Sequence, residues 1–268
     1  MRRILQVLIL GTTTLAGAAS AQTAAAPPPA PAGTILEQNS EYRFQLDLHV
    51  NDAALAKMLP AGWISNAATA GAAKDANLRL IFIDEANING PDNKVLGKGS
   101  NQLAYLAAPV KQAAGSGTGQ MILGGIAADA TTPDGFGVYL KASIANMTRT
   151  ANAVGGTVMV TEDWDFAAAS GEHLQLHVKY TRGAANKPAA PGQTNFYNPA
   201  DPAKFQIFKT EQATDITRNV TTTPPDRVAE FSFKAGGGKF AALLDGSEKP
   251  LSWDSQPVYA RTVITPAP

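Results

Sequence analysis

Tyr42-Arg43-Phe44-Gln45-Leu46-Asp47-Leu48-His49-Val50 is the stretch that decides the fold class. Tyr42, Phe44, Leu46, Leu48 and Val50 alternate with Arg43, Gln45, Asp47 and His49, a period of two that places the apolar set on one side of a half-buried strand. Asp52 then stands as an N-cap before Ala53-Ala54-Leu55-Ala56-Lys57-Met58-Leu59, and Pro60 ends that short helix.

The same period recurs along the chain. Leu78, Leu80 and Phe82 alternate with Arg79 and Ile81 in a more buried strand, and Leu174, Leu176, Val178 and Tyr180 alternate with His173, Gln175, His177 and Lys179. Val158 and Val160, then Ala229, Phe231 and Phe233, then Val258 to Val263, mark further strands, while Lys239 to Leu244 reads as a turn or two of helix. Ala113 to Gly119 and Gly183 to Pro202 are punctuated by Gly and Pro and read as loops. Many short strands with few helices predict a mainly β (α+β) protein, a barrel or a sandwich with small helical additions.

The N-terminus predicts export. Arg2 and Arg3 form a positive start, Ile4 to Leu10 begin an apolar run, and Ala19-Ser20-Ala21 is a small-x-small cleavage site, so 1–21 reads as a signal peptide. The run is too short to remain as a membrane helix. Sec export is the expected route, with twin-arginine export the alternative that the Arg pair raises. Residues 22–34 are an Ala/Pro-rich linker, and one domain is expected over 35–265 in a periplasmic or secreted protein.

Composition narrows the function. Lys+Arg and Asp+Glu are 22 each, and cleavage after Ala21 removes two of the basic residues, leaving 20 against 22. A near-neutral chain without a basic stripe is not expected to bind nucleic acid. With no Cys among its 268 residues, thiol catalysis, disulfides and zinc–thiolate sites are excluded. His173 and His177 are i, i+4 on a strand, roughly 13 Å apart at about 3.3 Å per residue, too far to share a metal. Gly236-Gly237-Gly238-Lys239 lacks the spacing of a phosphate loop, and no G-x-S-x-G elbow occurs. Neither a cofactor nor a metal is expected. Glu162-Asp163-Trp164-Asp165 offers carboxylates after a strand, most simply an exposed turn.

Two stretches resemble the acetoacetate-decarboxylase-like family: Leu46 to Trp63, a strand leading into a helix that ends in Leu59-Pro60, and Asp134 to Ala142, which sits where the family carries a Gly-aromatic-Pro-Lys-Lys strand. The resemblance spans about Tyr42 to Ala145. It implies a closed β-barrel with a few short helices and a mostly apolar interior pocket. It also implies a lysine that forms a Schiff base with a keto acid, its amine kept neutral by burial and a neighbouring lysine. Aligned on Gly137, the motif puts Leu140 at the reactive position and Lys141 at its neighbour. Lys141 is thus the candidate catalytic amine, the other reading being a solvated strand lysine. Asp84-Glu85 stands at the end of the Leu78 strand, and Glu85 is the candidate acid, because the family keeps one in that region. Two functions follow: a barrel that binds a small apolar or carbonyl compound in its interior, or a Schiff-base lyase acting on a small keto acid through Lys141. The expected partner is a small-molecule ligand, with no membrane insertion after signal cleavage; homo-oligomerisation stays open.

Overall fold

The computed structural model describes residues 33–131, 136–221 and 226–267. The region read as a signal peptide and nearly all of the linker lie outside them, as do Asp134 and Gly135 of the family-like motif. The first strand starts at Gly33, within the stretch read as linker.

Seven strands form a closed ring. They are β1 (Gly33–His49), β3 (Leu78–Asn89), β4 (Asn101–Gln112), β5 (Thr118–Ala127), β9 (Gly192–Tyr197), β10 (Phe205–Asn219) and β12 (Lys249–Pro266), with β4 pairing β5 to close the circuit. All neighbours are antiparallel except β5 and β9. The short β2 (Trp63–Ser65) extends the edge at β4. Beyond β5 the sheet continues through β6 (Tyr139–Val154), β7 (Thr157–Ala168), β8 (His173–Thr181) and β11 (Val228–Gly236), four strands that leave the barrel and fold back over its wall.

One helix, α1 (Asp52–Met58), follows β1. Its N-cap is Asn51 rather than Asp52: the Asn51 side chain accepts the Ala54 N–H at 3.0 Å. Asp52 is the first helical residue and accepts a hydrogen bond from Asn77 Nδ2 at 2.8 Å. Residues 239–244 supply only the end of a 3-10 turn, Gly238–Phe240, and a following turn in which the Leu243 and Leu244 N–H groups donate to the Phe240 carbonyl.

The main apolar core lies outside the barrel, between its wall and the overlying four strands. Phe44, Leu46 and Leu48 of β1 and Leu80 and Phe82 of β3 meet Trp164, Phe166, Leu174, Leu176 and Tyr180 there. Ring centroids are 5.8 Å apart for Phe82–Trp164 and 5.9 Å for Phe44–Tyr180. The alternating residues of β1 therefore do not divide into core and solvent. Arg43, Gln45 and Asp47 are buried as well, because their side of the strand faces the barrel lumen.

Three sequence expectations fail for reasons of tertiary pairing. The region 183–202 contains β9, whose sequence Gly-Gln-Thr-Asn-Phe-Tyr has little apolar alternation but pairs with both β5 and β10. Glu162-Asp163-Trp164-Asp165 is mid-strand in β7, and Glu162 is fully buried. Asp84-Glu85 lies inside β3, which runs on to Asn89.

Candidate functional site

The barrel lumen is two-sided. Ile81, Ile83, Leu103, Ala107, Ile122 and Ala127, from β3, β4 and β5, form an apolar wall with Tyr105. The facing wall, from β1 and β12, is polar: Asn39, Glu41, Arg43, Gln45 and Asp47 stand opposite Arg261, Tyr259, Gln256, Asp254 and Ser252 in the register of the two strands, with Glu37 opposite Val263. Alternation in β1 makes this wall, with the odd residues from Glu37 to Asp47 turned in and Tyr42, Phe44, Leu46 and Leu48 turned out to the apolar core.

At one level the lumen is filled by ion pairs. Arg261 Nη2 donates to Glu85 at 2.7 Å and to Glu37 at 3.3 Å, and Arg261 Nε lies 3.3 Å from Glu41. Asn39 Nδ2 donates to Glu37 and Glu85 at 2.7 and 3.0 Å. Arg43 grips Glu41 through two bonds of 2.8 and 3.0 Å and lies 3.6 Å from the centre of the Tyr259 ring. Burial by itself would lower the Arg43 guanidinium, but the Glu41 carboxylate holds it above its ordinary value. Tyr105 is pushed up to about 12 by burial. Tyr139, at the start of β6, completes this level; its ring reaches Gly125, where a Cβ would sit 2.9 Å from the ring and 2.7 Å from the Ala104 carbonyl oxygen.

Beyond Arg43 the lumen opens into a cavity of about 480 Å³. Arg43, Gln45, Asp47, Arg79, Ile81, Ala107, Gln120, Phe196, Asp254, Gln256 and Tyr259 line it, and Lys187 to Gly192 form its rim. Gln45 donates to Asp47 at 3.0 Å, Arg79 Nε lies 3.3 Å from Asp47, and Ser252 Oγ donates to Asp254 at 2.6 Å. Burial, then the neighbouring Asp47 charge, raises the Asp254 carboxyl to about 7. Burial raises Asp47 too, opposed by Arg79 and the Gln45 hydrogen bond. The side-chain oxygens of Gln120 and Gln256 are buried without a hydrogen-bond partner.

Of the two residues predicted from sequence, Glu85 is in the lumen, fully buried on Arg261 and Asn39. Lys141 is not. It is exposed on β6 at the last residue of the three-residue parallel pairing with β5, opposite Ala127, and its Nζ donates to the Ala128 carbonyl. The residue of this strand that turns into the lumen is Tyr139, two positions earlier. The interior is also far more polar than the resemblance implies. Among the described residues, no three His, Asp or Glu side chains gather in a way that could hold a metal ion.

Comparison with solved structures addresses the fold. The enduracididine biosynthesis enzyme MppR complexed with pyruvate matches at a TM-score of 0.50 and 12% identity, covering 90% of this chain and 91% of that one. MppR with HEPES bound matches at 0.50 and 13%, covering 94% and 97%. An acetoacetate decarboxylase-like enzyme from Sphingomonas wittichii RW1 matches at 0.49 and 11%, covering 87% and 91%. The chain has an acetoacetate-decarboxylase-like fold. At such identity the likeness extends to the fold alone. No family model matches the sequence, and no curated protein does.

The functional residues that sequence reasoning missed are Asp47, Arg79, Gln120, Asp254 and Gln256. The signal for Asp47 was present in its alternation with Leu46 and Leu48, but that pattern assigns polar residues to solvent unless the sheet is known to close.

Proposed function

We propose that this chain is an exported protein that binds a small polar organic molecule in the lumen of its barrel. One observation carries the reading: the cavity beyond Arg43 buries two amide oxygens, of Gln120 and Gln256, that have no hydrogen-bond partner among the described residues. Buried acceptors left unpaired cost roughly 1–3 kcal/mol each, a penalty that a bound donor removes. A cavity of about 480 Å³ is within the usual range for small-molecule sites. Of the small apolar or carbonyl compound expected from the resemblance, the polar lining disfavours the apolar one.

Binding is favoured over Schiff-base lyase chemistry by the position of Lys141, whose amine lies outside the cavity on an exposed strand. Borohydride reduction in the presence of pyruvate or acetoacetate, followed by peptide mass spectrometry, is expected to leave Lys141 unmodified. A substrate-dependent adduct there, lost in Lys141→Ala, would reverse the preference.

Lumen binding is tested directly by purifying the protein from its native host, denaturing it and identifying the released small molecules by mass spectrometry. A stoichiometric compound is expected from the wild type and none from Thr210→Trp, which puts an indole into the cavity beside its rim. Export is tested by N-terminal sequencing of the periplasmic or secreted protein, expected to begin near Gln22.

A further inference from the structure

The charged groups facing the cavity are Arg43, Arg79, Lys187, Asp47, Asp254 and Glu211. Each cation has an acid at hand. Arg43 holds Glu41 at 2.8 Å, Arg79 lies 3.3 Å from Asp47, and Lys187 lies 3.2 Å from Glu211. Asp254 differs. It is buried, it accepts from the Ser252 hydroxyl, and among the described residues no cation lies within 4.0 Å of it. The groups left wanting in this cavity are therefore one carboxyl group and the two amide oxygens of Gln120 and Gln256, all acceptors.

We propose that the lumen takes an organic cation, a compound bearing a protonated amine or guanidinium group, with that group seated on Asp254 and its N–H donors turned to Gln120 and Gln256. The proposal rests on the reading of the lumen as a small-molecule site and names the ligand's chemical class. A carboxylate ligand would bring a second negative charge beside the Asp47–Asp254 pair, where like charges in a low-dielectric site repel. A cationic nitrogen does the reverse. It supplies the charge that Asp254 lacks and offers two or three donors to acceptors that have none. The apolar side of the cavity, Ile81, Ala107 and Phe196, then suits the hydrocarbon stem of such a molecule. Ligands whose charge sits on a short alkyl chain fit this division.

The test uses butylamine and butylguanidine as probes, with butyrate, pyruvate and butanol as controls, read by calorimetry and by thermal shift on the full mature chain. The two cations are expected to bind and raise Tm, and butyrate and pyruvate are expected not to. Asp254→Asn is expected to weaken the cations by about tenfold or more, since a buried charge-assisted pair is lost. Gln120→Leu and Gln256→Leu are expected to weaken them a few-fold, and they carry the test should Asp254→Asn fail to fold. Binding of butyrate or pyruvate that Thr210→Trp blocks, with the cations inert, would overturn the proposal and leave the lumen-binding reading standing. Equal binding of the cations to wild type and Asp254→Asn would overturn it as well. If neither a probe nor a released compound depends on an open lumen, both readings fall.

Discussion

The two faces of β1 lead into opposite environments from one run of residues. Phe44, Leu46 and Leu48 enter a dry aromatic and aliphatic layer beneath the four outer strands, while Arg43, Gln45 and Asp47 enter a lumen of ion pairs and a cavity. Both sets are buried, yet they are held differently. The outer layer is held by area removed from water, which is not directional and tolerates small adjustments. The lumen is held by paired charges, which depend on geometry and on protonation. A small amount of polar chemistry also crosses into the outer layer, where Glu162 accepts from Tyr42, Tyr180 and Trp164 and sits raised by burial.

Substitutions on either side of the strand should break or sharpen that contrast. The largest effects are expected from one change in each layer. Phe44→Ala should cost about 3–5 kcal/mol in denaturant unfolding, with little dependence on pH, because it removes packing alone. Arg261→Met should cost a similar ~3–5 kcal/mol at pH 7, as it takes away the cation shared by Glu37, Glu41 and Glu85. The two are separated by a second substitution: Glu85→Gln should recover part of the Arg261→Met deficit, since it removes one of the carboxylates that shared the lost cation, and none of the Phe44→Ala deficit. Equal responses would show that the lumen is stabilised no differently from the core.

An intermediate effect is expected at Asp254. Its folded pKa of about 7 lies above the ordinary value of 3.8, so between these values the native state holds a proton that the unfolded chain has released. Stability therefore falls as pH rises through that window. Asp254→Asn should flatten the fall, by on the order of 2 kcal/mol between pH 4 and pH 8, while Asp47, also raised by burial, retains a share. Thermal melts of wild type and variant across that range read the difference. A steeper profile in the variant would contradict the buried environment assigned to Asp254, in which desolvation and the Asp47 charge outweigh the more distant Arg79.

The smallest effect belongs to Lys141→Ala. An exposed side chain whose one hydrogen bond goes to the Ala128 carbonyl should change stability by less than about 0.5 kcal/mol and leave ligand binding in the lumen untouched. Lost binding in this variant would return the strand to the centre of the function.

The β1, β3 and β8 strands were legible because each carries five, three or four apolar residues at a strict period of two. The break at Pro60 was legible for the same local reason, that proline cannot continue a helix. β9 was not, since Gly192, Gln193, Thr194 and Asn195 have no apolar face and are drawn into the ring by hydrogen bonds to β10. Glu162 was read as exposed because four polar or aromatic residues in a row resemble a turn; its burial comes from Tyr42 and Tyr180, 120 and 18 residues away in sequence. The family-like motif around Gly137 led to Lys141, which shares a strand face with Tyr139 but stands at the end of the β5–β6 pairing, exposed and with its amine on the Ala128 carbonyl.

What the sequence by itself determined was the mainly β class, the start and stop of the first helix to within a residue or two, and the exclusion of thiol chemistry, because each depends on neighbours along the chain or on composition alone. Which of the two faces of each strand meets water was decided only by tertiary structure. A period of two marks two faces without saying what lies beyond either of them. Closure of β4 onto β5 converted one face of β1 from surface into lumen, and packing of the four outer strands converted the other into core. The candidate site follows from that closure: Asp47 and Arg79 come from adjacent strands, while Gln120, Asp254 and Gln256 are separated from them by tens to hundreds of residues and meet only because the sheet returns upon itself.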